Sequence, residues 1–267
     1  MHSRHLRLAA GIALGAALFA TPVWAQSTLG TAQPFAVLGG STVTNTGASV
    51  ITGDLGVSPG SAVTGFPPGI VTGTIHAADA VALQAQNDTT TFYNALASAA
   101  CSADLTGQNL GGLTLTPGVY CFSSSAQLTG TLTLNAQGNA AATFIFKTGS
   151  TLTTASSSSV LLINGGNPCG VNWQIGSSAT LGTTTSFIGN LVALTSITLT
   201  TGANIIGRAL ARNGAVTLDT NNISFAGCTA AGTPPPVPTL TTWAAIALSV
   251  LLALAGYATL RKRQPLA

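Results

Sequence analysis

The sequence predicts a mainly β protein, built as a stack of short coils with one long helix packed beside it. Three observations support this fold class. Strand-like segments between Gly130 and Cys228 repeat a Thr-Leu-Thr phrase, and the last three copies are 18 and 19 residues apart. Phe187, Ile205 and Ile223 are also spaced by 18 residues. Residues 77–100 contain no Gly or Pro. A repeat of this length suits one solenoid coil better than a hairpin.

The N-terminus carries the pattern of a signal peptide, which we assign to residues 1–25. Two arginines precede an apolar stretch over residues 8–19, and small residues at Val23 and Ala25 suit signal peptidase. Cleavage is expected after Ala25, and the folded domain is expected to span residues 26–232.

The first part of that domain, residues 29–75, alternates short apolar pieces with Gly, Ser, Thr and Pro, which predicts short strands between turns. The helix follows, at about residues 77–100. Asp79 falls in its first turn, where the helix dipole favours a negative charge, and His76 lies just before it. The apolar residues near helical spacing are Val81, Ala85, Phe92, Leu96 and Ala99.

The repeated phrase occurs as Thr131-Leu132-Thr133, Thr151-Leu152-Thr153, Thr180-Leu181-Gly182, Thr198-Leu199-Thr200 and Thr217-Leu218-Asp219. Because successive side chains of a strand point to opposite faces, each leucine is expected to face inward and the threonines outward. Stacked coils would then display a flat, uncharged ladder of hydroxyl and methyl groups. The grid of such a ladder is comparable to oxygen spacings on ice planes, so the predicted partner is an ice crystal surface.

Threonine suits contact with ordered water. Its β-branched side chain is stiff, so little rotamer entropy is lost on binding, and its hydroxyl anchors water beside a poorly hydrated methyl. Ordinary β-propensity explains any single copy, and an inert solenoid surface is the alternative for the set. The candidate ice-binding residues are Thr131, Thr133, Thr151, Thr153, Thr180, Thr198, Thr200 and Thr217, with Thr195 and Asn213 added if the active face is shifted by one side.

A second set of strands is largely apolar on both faces and is therefore expected to need cover on both. The single long helix is the predicted cover, which would leave the threonine ladder open to solvent. These strands are Phe144-Ile145-Phe146, Val160-Leu161-Leu162-Ile163, Phe187-Ile188, Ile205-Ile206 and Ile223-Ser224-Phe225.

The exported part contains four cysteines, which in an oxidising compartment indicate two disulfides. Three pairings are possible. We favour Cys101–Cys121, which closes a short local loop, with Cys169–Cys228, which would tie the last coil to an earlier insertion. Metal binding is the weaker interpretation, because the chain has no Cys-x-x-Cys pair and the expected mature chain has one histidine.

Charge and composition exclude several function classes. Five of the eight basic residues lie in the end segments, so the domain offers no basic patch for nucleic acid. Its acidic residues are five scattered aspartates without any glutamate, whereas polysaccharide cleavage usually needs paired carboxylates or a metal. Asp54 and Asp104 lie in turn-like contexts that favour bonds to nearby backbone. We therefore expect no catalytic residues and no cofactor. A non-catalytic adhesin that binds polysaccharide or protein is the competing class.

The C-terminal region resembles the IPTL-type sorting signals of Gram-negative bacteria. Residues 233–242 form a proline-rich linker with the motif Val-Pro-Thr-Leu, 243–260 a predicted transmembrane helix, and 261–267 a basic tail expected to stay cytoplasmic. Val237 stands where the usual pattern has Ile. The resemblance implies export through the inner membrane and delivery to the cell surface or beyond by sorting or processing machinery. A plain membrane anchor is the alternative, and either interpretation involves membrane contact, at least transiently.

Several ordered motifs resemble the widespread microbial ice-binding-protein family, and the match runs from about Leu29 to Cys228. The resemblance implies a discontinuous right-handed β-solenoid of triangular section with a long helix alongside, and a protein that binds ice and slows its growth or recrystallisation. The motifs are Gly53-Asp54-Leu55-Gly56-Val57-Ser58-Pro59-Gly60, Ala77-Ala78-Asp79-Ala80, Leu115-Thr116-Pro117-Gly118-Val119-Tyr120, Trp173-Gln174-Ile175-Gly176-Ser177-Ser178-Ala179-Thr180-Leu181 and Gly207-Arg208-Ala209-Leu210-Ala211.

Overall fold

The computed structural model describes residues 29–228. The N-terminal segment of this range begins with a short 3-10 helix, Gly30–Ala32, and continues as short strands up to the long helix. These strands are β1 (Phe35–Gly39), β2 (Thr42–Thr46), β3 (Val50–Thr52), β4 (Asp54–Val57), β5 (Ala62–Thr64), β6 (Ile70–Val71) and β7 (Ile75–Ala77).

The long helix, α1 (Ala80–Ser98), confirms the helix predicted at about residues 77–100. Asp79 is its N-cap, and the Asp79 carboxylate accepts a hydrogen bond from the backbone amide of Ala82 at 2.8 Å. The ring nitrogen Nδ1 of His76 lies 2.7 Å from the other carboxylate oxygen. The cap therefore satisfies a backbone donor that the first turn of a helix leaves open.

The strands after the helix form the regular coils, with a 3-10 turn, Pro168–Gly170, between two of them. They are β8 (Ala103–Asp104), β9 (Thr114–Leu115), β10 (Gly118–Phe122), β11 (Ala126–Leu128), β12 (Thr131–Asn135), β13 (Phe144–Thr148), β14 (Leu152–Thr154), β15 (Ser159–Ile163), β16 (Val171–Ile175), β17 (Ala179–Leu181), β18 (Ser186–Ala193), β19 (Ile197–Leu199), β20 (Asn204–Ala211), β21 (Val216–Asp219) and β22 (Asn222–Ser224).

Each coil visits three faces in turn, and all the named strands pair in parallel. We call the first face the threonine face; it has the order β11-β14-β17-β19-β21-β2-β5. The second open face contains β9, β12, β15, the first halves of β18 and β20, then β22, β3 and β6. The helix-covered face contains β8, β10, β13, β16, the second halves of β18 and β20, then β1, β4 and β7.

The stack is discontinuous in sequence. Strand β2 pairs with β21 on one side and with β5 on the other, so the N-terminal coils continue the stack where the C-terminal coils end. The same junction occurs on the other faces, where β1 pairs with β20 and β3 pairs with β22. The solenoid fold predicted from the sequence is confirmed, and the interior is filled by one continuous apolar cluster.

The predicted position of the helix is wrong for most of the strands assigned to it. Of that set, Phe144–Phe146 lies on the helix-covered face, whereas Leu161, Ile188 and Ile206 point outward from the second open face. The helix packs on Ile145 of that set and on residues of the helix-covered face outside it, including Leu38, Val192 and Leu210. The sequence pattern does not separate the second open face from the helix-covered face, because the strands of both are similarly apolar.

Glycines make that bend possible. Strands β18 and β20 run without a break from the second open face onto the helix-covered face, bending at Gly189 and Gly207. Both glycines have positive φ, 117° and 146°. A Cβ on Gly207 would lie 2.0 Å from the carbonyl oxygen of Gly189 on the neighbouring coil, so both conformation and space require glycine.

Both favoured disulfides are confirmed. Cys101 bonds Cys121, with Cα atoms 5.8 Å apart, and ties the segment after the helix to β10. Cys169 bonds Cys228, with Cα atoms 5.1 Å apart, and ties the 3-10 turn to the end of the described chain.

Candidate functional site

The threonine face carries a single column of threonines at its centre. Pairing registers align Thr153 with Thr180, Thr180 with Thr198, and Thr198 with Thr217. The column continues without a break into the N-terminal coils, where Thr217 aligns with Thr44 and Thr44 with Thr64. Gln127 occupies the same position on the coil at the opposite end. Neighbouring members are separated by the strand spacing of about 4.8 Å.

The members of the column do not all occupy the same position of the repeated phrase. Thr153, the last residue of its phrase, aligns with Thr180, the first residue of the next. Thr151 therefore lies in a flanking column, where its hydroxyl donates to the Ser125 hydroxyl at 2.9 Å. Thr200 lies on the other flank, and its hydroxyl donates to the carbonyl of Leu181 at 2.8 Å.

Gly182 and Asp219, which take the place of the last threonine in two copies of the phrase, lie beside the column. Leu181 and Leu199 are register partners, which places Gly182 next to Thr200, and Asp219 aligns with Thr46. All of these positions belong to the flank, so the central column is uninterrupted from Thr153 to Thr64.

Two candidates belong to another surface. Thr131 and Thr133 lie on β12, whose partners are β9 and β15 of the second open face. Their assignment to the same ladder as Thr198 is wrong, because the chain turns a corner at Gly130 between β11 and β12. On that face the Thr131 hydroxyl lies 2.8 Å from the Ser159 hydroxyl.

Thr195 and Asn213 lie at the corner between the helix-covered face and the threonine face. Both are exposed, and they stack on successive coils: the amide of Asn213 donates to Leu194 and that of Gly214 donates to Thr195. The structure thus brings them to the edge of the threonine face and keeps them out of its central column.

Sequence reasoning missed the two N-terminal members of the column. Thr44 follows a Thr-Val pair and Thr64 an Ala-Val pair, so neither matches a Thr-Leu phrase. Val43 is fully buried beneath this face, as the leucines are. A search for threonine after any inward-facing aliphatic residue would have listed both positions, but also Thr52 and Thr133 of the second open face.

Packing holds the column rigid. The residues beneath it, among them Leu152, Leu181, Leu199 and Leu218, are almost completely buried. A backbone fixed on both sides by neighbouring coils, together with the stiff χ1 of threonine, restricts each hydroxyl and methyl to few positions. The face is therefore ordered before it meets a partner.

Charge is confined to the margins of this face within the described residues. Asp219 sits on the flank, where its carboxylate accepts hydrogen bonds from Thr201 at 2.5 Å and Thr220 at 3.0 Å. The two arginines lie on the helix-covered face, Arg212 over the Tyr93 ring and Arg208 over the Phe225 ring. The central column presents neutral groups.

The other carboxylates serve local structure. Asp54 accepts from the amide of Thr74, and Asp104 accepts from the hydroxyl and amide of Thr106. The Thr106 hydroxyl lowers the pKa of Asp104, and the Thr31 amide lowers the pKa of Asp88. Within residues 29–228, no group of three or more His, Cys, Asp or Glu side chains is placed to hold a metal ion.

The parallel β-solenoid and its threonine column agree with the family resemblance drawn from the sequence. The chain belongs to the ice-binding-like family, whose model matches residues 37–224. A second model, the IPTL-CTERM motif, matches residues 235–263. Both resemblances drawn from the sequence are thereby confirmed. An ice-binding protein of Nostoc sp. (strain HG1) is 68% identical over 201 residues, which cover 75% of this chain and 74% of the relative.

Solved structures agree with the family assignment. An ice-binding protein from an Antarctic biological consortium shares 52% identity with a TM-score of 0.74, over 76% of this chain and 93% of the other. The ice-binding protein of the Antarctic ascomycete Antarctomyces psychrotrophicus shares 42% identity with a TM-score of 0.72, over 74% and 97%.

Proposed function

We propose that this protein adsorbs to ice through its threonine face and thereby inhibits ice growth or recrystallisation. The observation that carries the proposal is the unbroken column from Thr153 to Thr64, in register on successive strands. The names of the relatives, which are ice-binding proteins, support the same function.

The physical argument rests on repetition and rigidity. One hydroxyl and one methyl bind ordered water weakly, but residues held at fixed spacing meet a crystal surface together without each losing rotamer entropy. A neutral face also avoids the cost of stripping water from charged groups. The proposed role is therefore binding, with no catalytic step.

We also propose the cellular setting. The signal peptide at residues 1–25 and the IPTL-CTERM match support export and sorting to the cell surface of a Gram-negative bacterium. The proposed membrane helix at 243–260 lies outside the described residues; among residues 29–228 no helix is long and apolar enough to cross a membrane. The boundaries of the functional domain, 26–232, belong to this proposal too.

Thermal hysteresis and ice-recrystallisation inhibition of the exported protein test the function directly. We expect both activities in the folded, oxidised chain. A folded chain without either activity would contradict the proposal and favour a non-catalytic surface module that binds polysaccharide or protein.

A further inference from the structure

The described chain ends at a defined place in the triangular section. Cys169 lies in the turn between β15, on the second open face, and β16, on the helix-covered face. Cys228 follows β22 and is bonded to Cys169. The disulfide thus holds the start of the C-terminal tail at the vertex where those two faces meet, which is the vertex opposite the threonine face.

A buried guanidinium reinforces this vertex. Arg208 donates from Nε and Nη2 to the carbonyl of Gln33 at 3.1 and 2.7 Å, and Nη1 lies 2.9 Å from the Cys169 sulfur. Its guanidinium carbon lies 4.5 Å from the centre of the Phe225 ring. Burial lowers the pKa of Arg208 to about 10, and no carboxylate in residues 29–228 forms an ion pair with it. The N-terminal segment, the disulfide and the final turn are joined through one side chain.

Linker length limits where the tail can go. The IPTL-CTERM match begins at residue 235, seven residues beyond Cys228. Seven fully extended residues span at most about 25 Å. An 18-residue coil divided over three sides, as between Thr180 and Thr198, gives each side about 20 Å at the rise of a strand. Measured along the surface, the sorting match therefore begins short of the column. The 14 residues between Cys228 and the proposed membrane helix at 243–260 span at most about 50 Å, so the inferred orientation depends on the position of the vertex.

We infer that the vertex closed by Cys169–Cys228 is the attachment side of the protein, so that the cell-bound chain presents its threonine face outward to an extended partner such as an ice crystal. A force applied to the tail would act on the disulfide and the Arg208 contacts before it could separate β22 from its partners β20 and β3. The inference rests on the proposed function for its partner and on the proposed tail for its anchor.

Lysine labelling on intact cells tests the orientation without using ice. The full chain has two lysines, Lys147 and Lys262, so a new lysine gives a readable signal above the parent chain. The variants are Thr153→Lys, on the threonine face, and Ala226→Lys, near the vertex; both positions are exposed. Cells displaying each full-length variant are treated with an amine-reactive ester carried on a large dextran, and the same variants are labelled after release by detergent.

We expect Thr153→Lys to label on cells as fast as after release, and Ala226→Lys to label several-fold more slowly on cells than after release. Equal accessibility of both sites on cells, protection of Thr153→Lys, or complete release of the chain into the medium would overturn the inference. Because the readout is accessibility, an outward threonine face without ice activity would contradict the proposed function and leave the orientation intact.

Discussion

The hydroxyl of Thr44 lies 3.4 Å from the hydroxyl of Thr217, although 173 residues separate them along the chain. This contact marks the junction at which the N-terminal coils join the C-terminal coils. It also makes one continuous column out of two sequence segments that look unrelated.

The first prediction concerns the choice of face. Thr198→Tyr should reduce thermal hysteresis several-fold, because a bulky ring in the middle of the column holds a flat crystal surface away from its neighbours. Thr133→Tyr is the matched control, since Thr133 is also half-buried on a strand but lies on the second open face. Both variants should keep the free energy of unfolding within about 0.5 kcal/mol of the parent. Equal loss in the two variants would contradict the assignment of the binding face.

The second prediction tests the junction. Thr44→Tyr should reduce ice-recrystallisation inhibition about as much as Thr198→Tyr, because Thr44 continues the same column. Thr52→Tyr, in the same N-terminal segment but on the second open face, should leave the activity unchanged. Full activity of Thr44→Tyr would confine the active column to the C-terminal coils.

The disulfides should contribute unequally to stability. Loop-closure entropy gives about 4 kcal/mol for the 59-residue separation of Cys169 and Cys228, and about 3 kcal/mol for the 20-residue separation of Cys101 and Cys121. Replacing each pair by serines and measuring unfolding in denaturant checks the order. A larger loss for the Cys101–Cys121 pair would show that native-state packing outweighs the entropy of the unfolded chain.

Stability and activity should respond differently to pH. Hydrogen bonds lower the folded-state pKa of Asp79, Asp88 and Asp104 below their ordinary values. Their contribution is therefore complete above the unfolded pKa, about 4, and is lost as the pH falls through the folded values. The melting temperature should drop in acid and stay level between about pH 5 and pH 8, and Asp88→Asn should lessen the drop. Ice activity of the folded chain should stay constant over that level range, because threonine does not titrate; a strong pH dependence there would contradict binding through the neutral column.

The coil length and the helix were predictable from the sequence, because each depends on spacing along the chain, whereas the sequence left three disulfide pairings open, of which the favoured one is confirmed. The 18-residue interval between Thr180 and Thr198 reports a coil directly, and a stretch without Gly or Pro reports α1.

The faces were harder to predict. The alternation of apolar and polar residues separates inward-facing from outward-facing side chains, but it does not show to which of the three faces an outward-facing side chain belongs. Thr131 and Thr198 have the same local pattern and lie on different faces, since only the position of the corner residues separates them. The place of Thr44 depends on pairing between distant segments, which no local pattern records. The helix-covered face was likewise distinguishable only through the bends at Gly189 and Gly207.

The discontinuous stacking order also sets the sequence of events in folding. A chain synthesised N-terminus first presents β2 and β5 long before β21, the strand that pairs with β2, has been made. Non-local pairing of this kind makes folding slow, because the entropy of closing the long intervening loop is lost before the contacts that stabilise it can form. The edge of the N-terminal coils that pairs with β21 and β22 stays unpaired until those strands are available. In a chain truncated before β21, strand β2 would lack its pairing partner. The complete threonine face therefore forms only in the full-length domain.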